Sequence, residues 1–170
     1  MKKRVILGCI VVVFLFLIGA SVILIKKKHD FRKSIVDIPN FCMLQAIDCI
    51  SFCSTQLEKN KPVVLMYIHP ECDICHIEAQ QLQKKQEMNN YIQWILVSYA
   101  ERDSLNQFAT TYQLNAFSNL TILMDSQFEL YDLLRVKEVP SCYIYDRHHK
   151  LVKVLQGAVK LGNIILLANQ

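Results

Sequence analysis

Residues 63–78 read VVLMYI-HPECDICHIE, an apolar run over 63–68, a short loop, and then Cys72-Asp73-Ile74-Cys75-His76. No polar residue interrupts the run, the pattern of a strand buried on both faces. From Asp73 to about residue 89 there is neither Gly nor Pro, and Ile74, Ile77 and Leu82 recur at roughly helical spacing. The order strand, C-x-x-C, helix is what decides the fold class.

The same letters carry two chemistries. C-x-x-C-H is the attachment signature of a c-type haem, with His76 as axial ligand. C-x-x-C is also the signature of a dithiol that makes and breaks disulfides. Residues three apart on a helix come within disulfide range. A helix N-terminus stabilises an anion, which favours Cys72 as thiolate nucleophile. Cys75, one turn further in, is placed to attack a mixed disulfide and release the product. A third reading joins Cys49-x3-Cys53 to Cys72-x2-Cys75 across 18 residues as a zinc site, although a whole core strand lies in that interval. A fourth is a binding domain in which the cysteine pair is incidental. On the dithiol reading the protein needs no cofactor and no metal.

Outward from this stretch, residues 41–44 and 50–53 read as two short strands of a hairpin. Residues 92–99 (IQWILVSY) form a second buried strand, and 104–114 a helix with Leu105, Phe108, Ala109 and Tyr112 on one face. A strand at 120–124, a short helix at 127–134, paired strands at 142–146 and 151–155, and a helix at 159–168 complete the pattern. Strands alternating with helices, closed by a strand pair, indicate an α/β domain with a mixed sheet.

The front of the chain is different. Residues 5–25 hold 21 residues without a charge, which as a helix would span about 31 Å and cross a bilayer. No A-x-A-like cleavage site follows a shorter apolar core, so the expectation is an uncleaved anchor. The division expected is a tip at 1–4, an anchor at 5–25, a charged tether at 26–37 and a domain at 38–170. Three basic residues precede the span and five follow it by residue 33, a count that by itself would put the domain in the cytoplasm. The disulfide chemistry argues for the outer side of the cytoplasmic membrane.

Eight of the 19 basic residues and one of the 15 acids lie in residues 1–35, leaving 11 basic and 14 acidic residues, net −3, in the rest. A mildly acidic domain without a basic patch excludes nucleic acid as partner, and the basic cluster beside the span suits lipid headgroups. Only Gly157 and Gly162 fall in the domain, so there is no glycine-rich phosphate loop.

Val139-Pro140 lies ahead of the apolar segment SCYIYD, with Pro140 65 residues after Cys75. Strand, C-x-x-C, helix, then Val-Pro leading into a strand resembles the thioredoxin superfamily. Within it, IPNFCMLQAIDCISFCSTQLEKNKPVVLMYI (38–68) resembles the N-terminal hairpin and first core strand of TlpA/ResA-type membrane-anchored thiol-disulfide reductases, in the AhpC/TSA-like redoxin branch. LTILMDSQFELYDLLRVKEVPSCYIYDRHHKLVKVLQG (120–157) resembles their later half, including an extra strand-helix insertion. The resemblance spans roughly residues 38–168.

It implies a three-layer α/β/α fold with an N-terminal hairpin, and a cis proline at Pro140 that shapes a substrate groove beside the dithiol. By the same resemblance Cys72 attacks, Cys75 resolves, Glu78 handles protons, and the Val139 backbone pairs with an extended substrate. The implied activity is reduction of disulfides in extracytoplasmic proteins, in cytochrome c maturation or general thiol repair. The implied partners are disulfide-bearing substrate proteins and a membrane electron donor.

This chain departs from the family in places. Glu71 stands where an aromatic residue is usual, Asp73-Ile74 lies between the cysteines, Cys49 replaces a hairpin glycine, and Met66 stands six residues before Cys72 where thioredoxins bury an acid. His69 occupies the place of the threonine that a peroxiredoxin needs. Glu71 and Asp73 disfavour a Cys72 thiolate, while the helix N-terminus and a protonated His76 favour it, so a reducing dithiol is expected. Cys42, Cys49, Cys53 and Cys142 read as ordinary semi-buried residues. Cys42 and Cys53 face each other if the hairpin pairs as drawn, which leaves a structural disulfide open. His69 reads as a solvated loop residue.

Overall fold

The computed structural model describes residues 14, 16–26, 35–84 and 91–169 of the chain, which divides into two compact units, 1–36 and 37–170. In the first, residues 14 and 16–26 are helical (α1), and Phe14, Phe16, Leu17, Ile18, Val22, Ile23, Leu24 and Ile25 expose their side chains. Among the described residues no helix is long and apolar enough to cross a membrane. The tip, residues 5–13 and 15 of the expected anchor and residues 27–34 of the tether lie outside the described residues.

The second unit is built on a seven-stranded sheet. Its strands are β1 (Cys42–Gln45), β2 (Ser51–Cys53), β3 (Val63–Tyr67), β4 (Gln93–Ser98), β5 (Leu120–Met124), β6 (Ser141–Tyr145) and β7 (Leu151–Gln156), in the spatial order β2-β1-β5-β4-β3-β6-β7. The three central strands are parallel, with Val63 opposite Gln93 and Trp94 opposite Leu120. Antiparallel pairs flank them on both sides, β1–β2 beside β5 and β6–β7 beside β3, which makes the sheet mixed. Every residue of β3, β4 and β6 is buried, the polar Gln93, Ser98 and Ser141 at strand ends included.

Alternation along β3 separates two faces. Val64, Met66 and Ile68 join Trp94, Leu96, Ile122 and Ile144 in a core covered by α2 (Asp73–Lys84), α3 (Arg102–Thr111) and α5 (Leu161–Ala168), through Leu82, Leu105, Phe108 and Ile164. On the other face Tyr67 meets Tyr131 of α4 (Glu129–Leu134) edge-on at 5.5 Å, and the Tyr143 hydroxyl donates to the Leu134 carbonyl. Helices thus lie on both faces, with only the short α4 placed by these contacts on the second.

Two local expectations change. On α2 the buried face is Cys75, Glu78, Ala79 and Leu82, while Ile74 and Ile77 are exposed. The stripe facing the sheet therefore includes Cys75 and Glu78 and leaves out two of the three apolar letters that mark the helix in the sequence. Cys49, expected to be semi-buried, is exposed in the hairpin turn, at φ 58°, a left-handed conformation that favours glycine.

Candidate active site

Cys72 immediately precedes α2, at the end of the loop that leaves β3. Its own N–H donates to the His69 carbonyl (3.0 Å), and its carbonyl accepts the His76 N–H (3.1 Å), the bond that starts the helix. The thiol is half-buried. Its Sγ accepts the Cys75 N–H at 3.2 Å and lies 3.5 Å from the Val139 carbonyl, to which the protonated thiol donates. Negative charge on this sulfur is thus met by a backbone donor at a helix N-terminus, with Asp73 in the first turn.

Cys75 is 1% exposed. Burial, then its interaction with the Cys72 thiol and the nearby Glu78 carboxyl, push its ionisation up, against a backbone hydrogen bond from His69 that pulls it down. The two sulfurs are therefore unequal by construction: one reachable, the other held protonated in the core.

Glu78 is one turn beyond Cys75 on the same buried face and is 2% exposed. Its Oε1 accepts the Val159 N–H at 2.8 Å, while Oε2 is buried with no partner among the described residues. Burial raises its carboxyl above the ordinary carboxylate value, and the Val159 bond offsets part of that. Gln81, a turn later, accepts the Leu161 N–H at 3.0 Å, so α2 is tied twice to the start of α5.

The Val139–Pro140 bond is cis, as the resemblance implied, and Pro140 is buried. All five residues singled out in the sequence, Cys72, Cys75, Glu78, Val139 and Pro140, come from the loop after β3, from α2 and from the segment entering β6. The structure brings Val139 directly to Cys72.

Cys142 belongs with them and was not singled out. It is fully buried on β6 opposite Met66, in the same core cluster as Cys75, and its thiol is pushed up by burial and then by the Glu78 and Cys75 charges. The signal was present, since strand alternation puts residue 142 on the same side as Pro140.

His76 and the remaining cysteines bear on the haem and zinc readings. The His76 Nδ1 is 2.7 Å from the Tyr112 hydroxyl, and its ring packs on Phe108 and Tyr112 at 5.2 and 5.6 Å. The imidazole links α2 to Phe108 of α3 and to Tyr112 just past its end. The four sulfurs of the zinc reading are not brought together: Cys53 is disulfide-bonded to Cys42, and Cys49 is exposed in the turn. Among the described residues no group of His, Cys, Asp and Glu is arranged to hold a metal ion. The expectation of ordinary thiols at Cys42 and Cys53 is corrected, because the β1–β2 register sets them directly opposite each other. His69 lies in the loop after β3, as expected, but is half-buried, with its ring 4.9 Å from that of Tyr99.

The AhpC/TSA family model matches residues 36–154. The chain belongs to the AhpC/TSA family. No curated protein sequence matches it. Among solved structures it is similar to a secreted Mycobacterium tuberculosis disulfide oxidoreductase described as homologous to Escherichia coli DsbE (18% identity, TM-score 0.66, covering 80% of this chain and 96% of that one). It is similar to a putative DsbE thiol:disulfide interchange protein from Chlorobium tepidum (17%, TM-score 0.65, 78% and 94%). It is also similar to the M. tuberculosis peroxidoxin BcpB (15%, TM-score 0.64, 78% and 93%). At these identities the likeness is one of fold, a thioredoxin-like fold with a mixed central sheet.

Proposed function

We propose that this AhpC/TSA-family protein is a thiol-disulfide oxidoreductase of the TlpA/ResA type that reduces disulfides of extracytoplasmic proteins through Cys72 and Cys75. One observation carries the reading: a reachable Cys72 sulfur that accepts the Cys75 N–H at 3.2 Å, beside a Cys75 thiol that burial keeps protonated. The disulfide-oxidoreductase descriptions of the M. tuberculosis and C. tepidum structures point the same way.

In the reaction proposed, the Cys72 thiolate attacks one sulfur of a substrate disulfide. The substrate S–S bond breaks, and the departing sulfur leaves as a thiolate that takes a proton from solvent. The Val139 carbonyl, 3.5 Å from Cys72, pairs with an N–H of the extended substrate during this step. Cys75 then gives its proton to the Glu78 carboxylate and attacks the Cys72 sulfur. The second substrate thiolate leaves, and Cys72 and Cys75 are joined as a disulfide after two electrons have moved to the substrate. A dithiol donor at the membrane restores the pair by the reverse exchange.

The apolar side chains exposed along 16–26 support an N-terminal membrane anchor, and the hairpin disulfide suits an oxidising compartment outside the cytoplasmic membrane. A reporter fused at the C-terminus reads out the orientation. Insulin reduction by the purified protein tests the activity. Cys72→Ser should abolish it and Cys75→Ser should leave a trapped mixed disulfide. A protein that neither turns over insulin nor forms that adduct would instead be a binding domain on a redox fold.

A further inference from the structure

The β1–β2 hairpin carries a second cysteine pair that the activity proposed above does not use. Cys42 and Cys53 are register partners joined by a disulfide at the open end of the hairpin. Cys42 is exposed and Cys53 half-buried, on the two outermost strands at that edge of the sheet. The hairpin has other fastenings. Its ladder continues through Met43–Phe52 and Leu44–Ser51, β1 also pairs with β5, and the Ser54 N–H donates to the Phe41 carbonyl at 2.9 Å just outside the disulfide. The Cys53 N–H is itself held by Gln56 Oε1.

A cleft of about 210 Å³ opens beside this pair, lined by Cys42, Met43, Met124, Asp125 and Gln127 among others. Asp125 is 1% exposed. Its Oδ2 accepts from the Tyr67 hydroxyl and the Tyr131 N–H, both at 2.8 Å, while Oδ1 is buried without a partner among the described residues. An exposed cysteine with a cleft opening beside it makes an approach for a reagent, which a disulfide serving only as a staple does not need. Exposed disulfides are also the ones that exchange readily with external thiols.

Cys42 runs past Met124 at the end of β5, the same end of the sheet from which β3 delivers the Cys72 loop. Strand order puts β5 and β4 between β1 and β3, three strand spacings or roughly 14 Å. That exceeds the reach of a disulfide, so the two pairs are separate centres that face the same side.

We propose that Cys42–Cys53 is a second redox-active centre, a disulfide that exchanges with the thiols of an incoming dithiol. One donor thiolate attacks Cys42 Sγ. The Cys42–Cys53 bond breaks, and Cys53 leaves as a thiolate. The donor's second thiolate then attacks the donor sulfur of the mixed disulfide and releases Cys42. The hairpin pair gains two electrons, the donor becomes a disulfide, and the protons given up by its thiols pass through solvent to Cys42 and Cys53. The donor is either a small thiol, two molecules doing the work of one dithiol, or the reduced Cys72–Cys75 pair of a second copy of this chain.

The test uses the full chain with Cys72→Ser and Cys75→Ser, so that the hairpin pair is read independently of the other centre. It is equilibrated in glutathione redox buffers, alkylated, and mapped by mass spectrometry at Cys42 and Cys53, with near-UV circular dichroism followed in parallel. The expected result is reversible reduction of both sulfurs in the folded state, from a tenth to nine-tenths over about a hundredfold change in [GSH]²/[GSSG]. A second arm supplies the reduced Cys42→Ser, Cys53→Ser chain as donor. Reduction by either donor supports the proposal and identifies the source. A pair that stays oxidised with both donors until guanidinium is added overturns it. If the second variant does not fold, the glutathione arm decides alone.

Discussion

The backbone N–H of Cys75 points at the sulfur of Cys72 from 3.2 Å, so the cysteine that is itself hard to ionise supplies a donor to the one that must carry charge. Reactivity should divide accordingly. In the reduced native protein at neutral pH, iodoacetamide should label Cys72 at least about tenfold faster than Cys75, and denaturant should bring the two within about twofold. Timed alkylation with peptide mapping measures both rates. Equal rates in the native state would remove the basis for assigning attack and resolution.

Glu78 gives a pH signature with a definite sign. Burial raises its carboxyl above the ordinary value, so the folded state holds this proton to higher pH than the unfolded state does. The stability it contributes is complete below the ordinary carboxylate pKa of about 4.3 and is lost as pH rises through the raised value. Glu78→Gln should therefore gain stability relative to the parent as pH increases from 4 to 8. The same substitution should slow release of the mixed disulfide by about 10²-fold, the usual scale for loss of a proton-transfer group. Denaturant titrations across pH, with single-turnover kinetics, check both halves.

The Tyr67 hydroxyl and Asp125 Oδ2 form a buried bond at 2.8 Å on the face opposite α2. Tyr67→Phe leaves the carboxyl short of a partner and should cost about 1–3 kcal/mol. Burial, joined at Tyr67 by Asp125, pushes the phenols of Tyr67, Tyr143 and Tyr145 well above the ordinary tyrosine value. Their contribution to stability is intact below pH 10 and falls away above it. Absorbance at alkaline pH should show these three ionising only as the protein unfolds.

Cys49 occupies a left-handed backbone position with its thiol exposed. A left-handed conformation costs a non-glycine residue roughly 1–2 kcal/mol, part of which glycine gives back as chain entropy. Cys49→Gly should raise stability by about 0.5–1 kcal/mol. A fall in stability would mean that the Cys49 side chain makes a contact worth more than the backbone strain.

The sequence was most legible where one local rule suffices. The apolar runs at 63–68 and 94–97 read directly as strands buried on both faces, and the face of α3 carrying Leu105, Phe108 and Ala109 is the one that packs. It was least legible on α2. Its apolar letters point to Ile74 and Ile77, both exposed, because the face turned inward carries Cys75 and Glu78 instead. The role of His76 depended on what α3 brings near it, since a ring that bonds Tyr112 from 36 residues away has no local signature. Cys42 and Cys53 were an open pairing because a shift of one residue in the hairpin would turn one sulfur away from the other.

Glu78 and Gln81 find their backbone partners 81 and 80 residues further along the chain, at Val159 and Leu161. A ribosome or translocon delivers the dithiol long before it delivers those amides. Until the segment at 159–161 emerges, the carboxyl behind Cys75 has no anchor and α2 lacks its ties to α5. Cys72 waits almost as long for its own contact, the Val139 carbonyl 67 residues further on, so none of these long-range ties can form until most of the chain has been made.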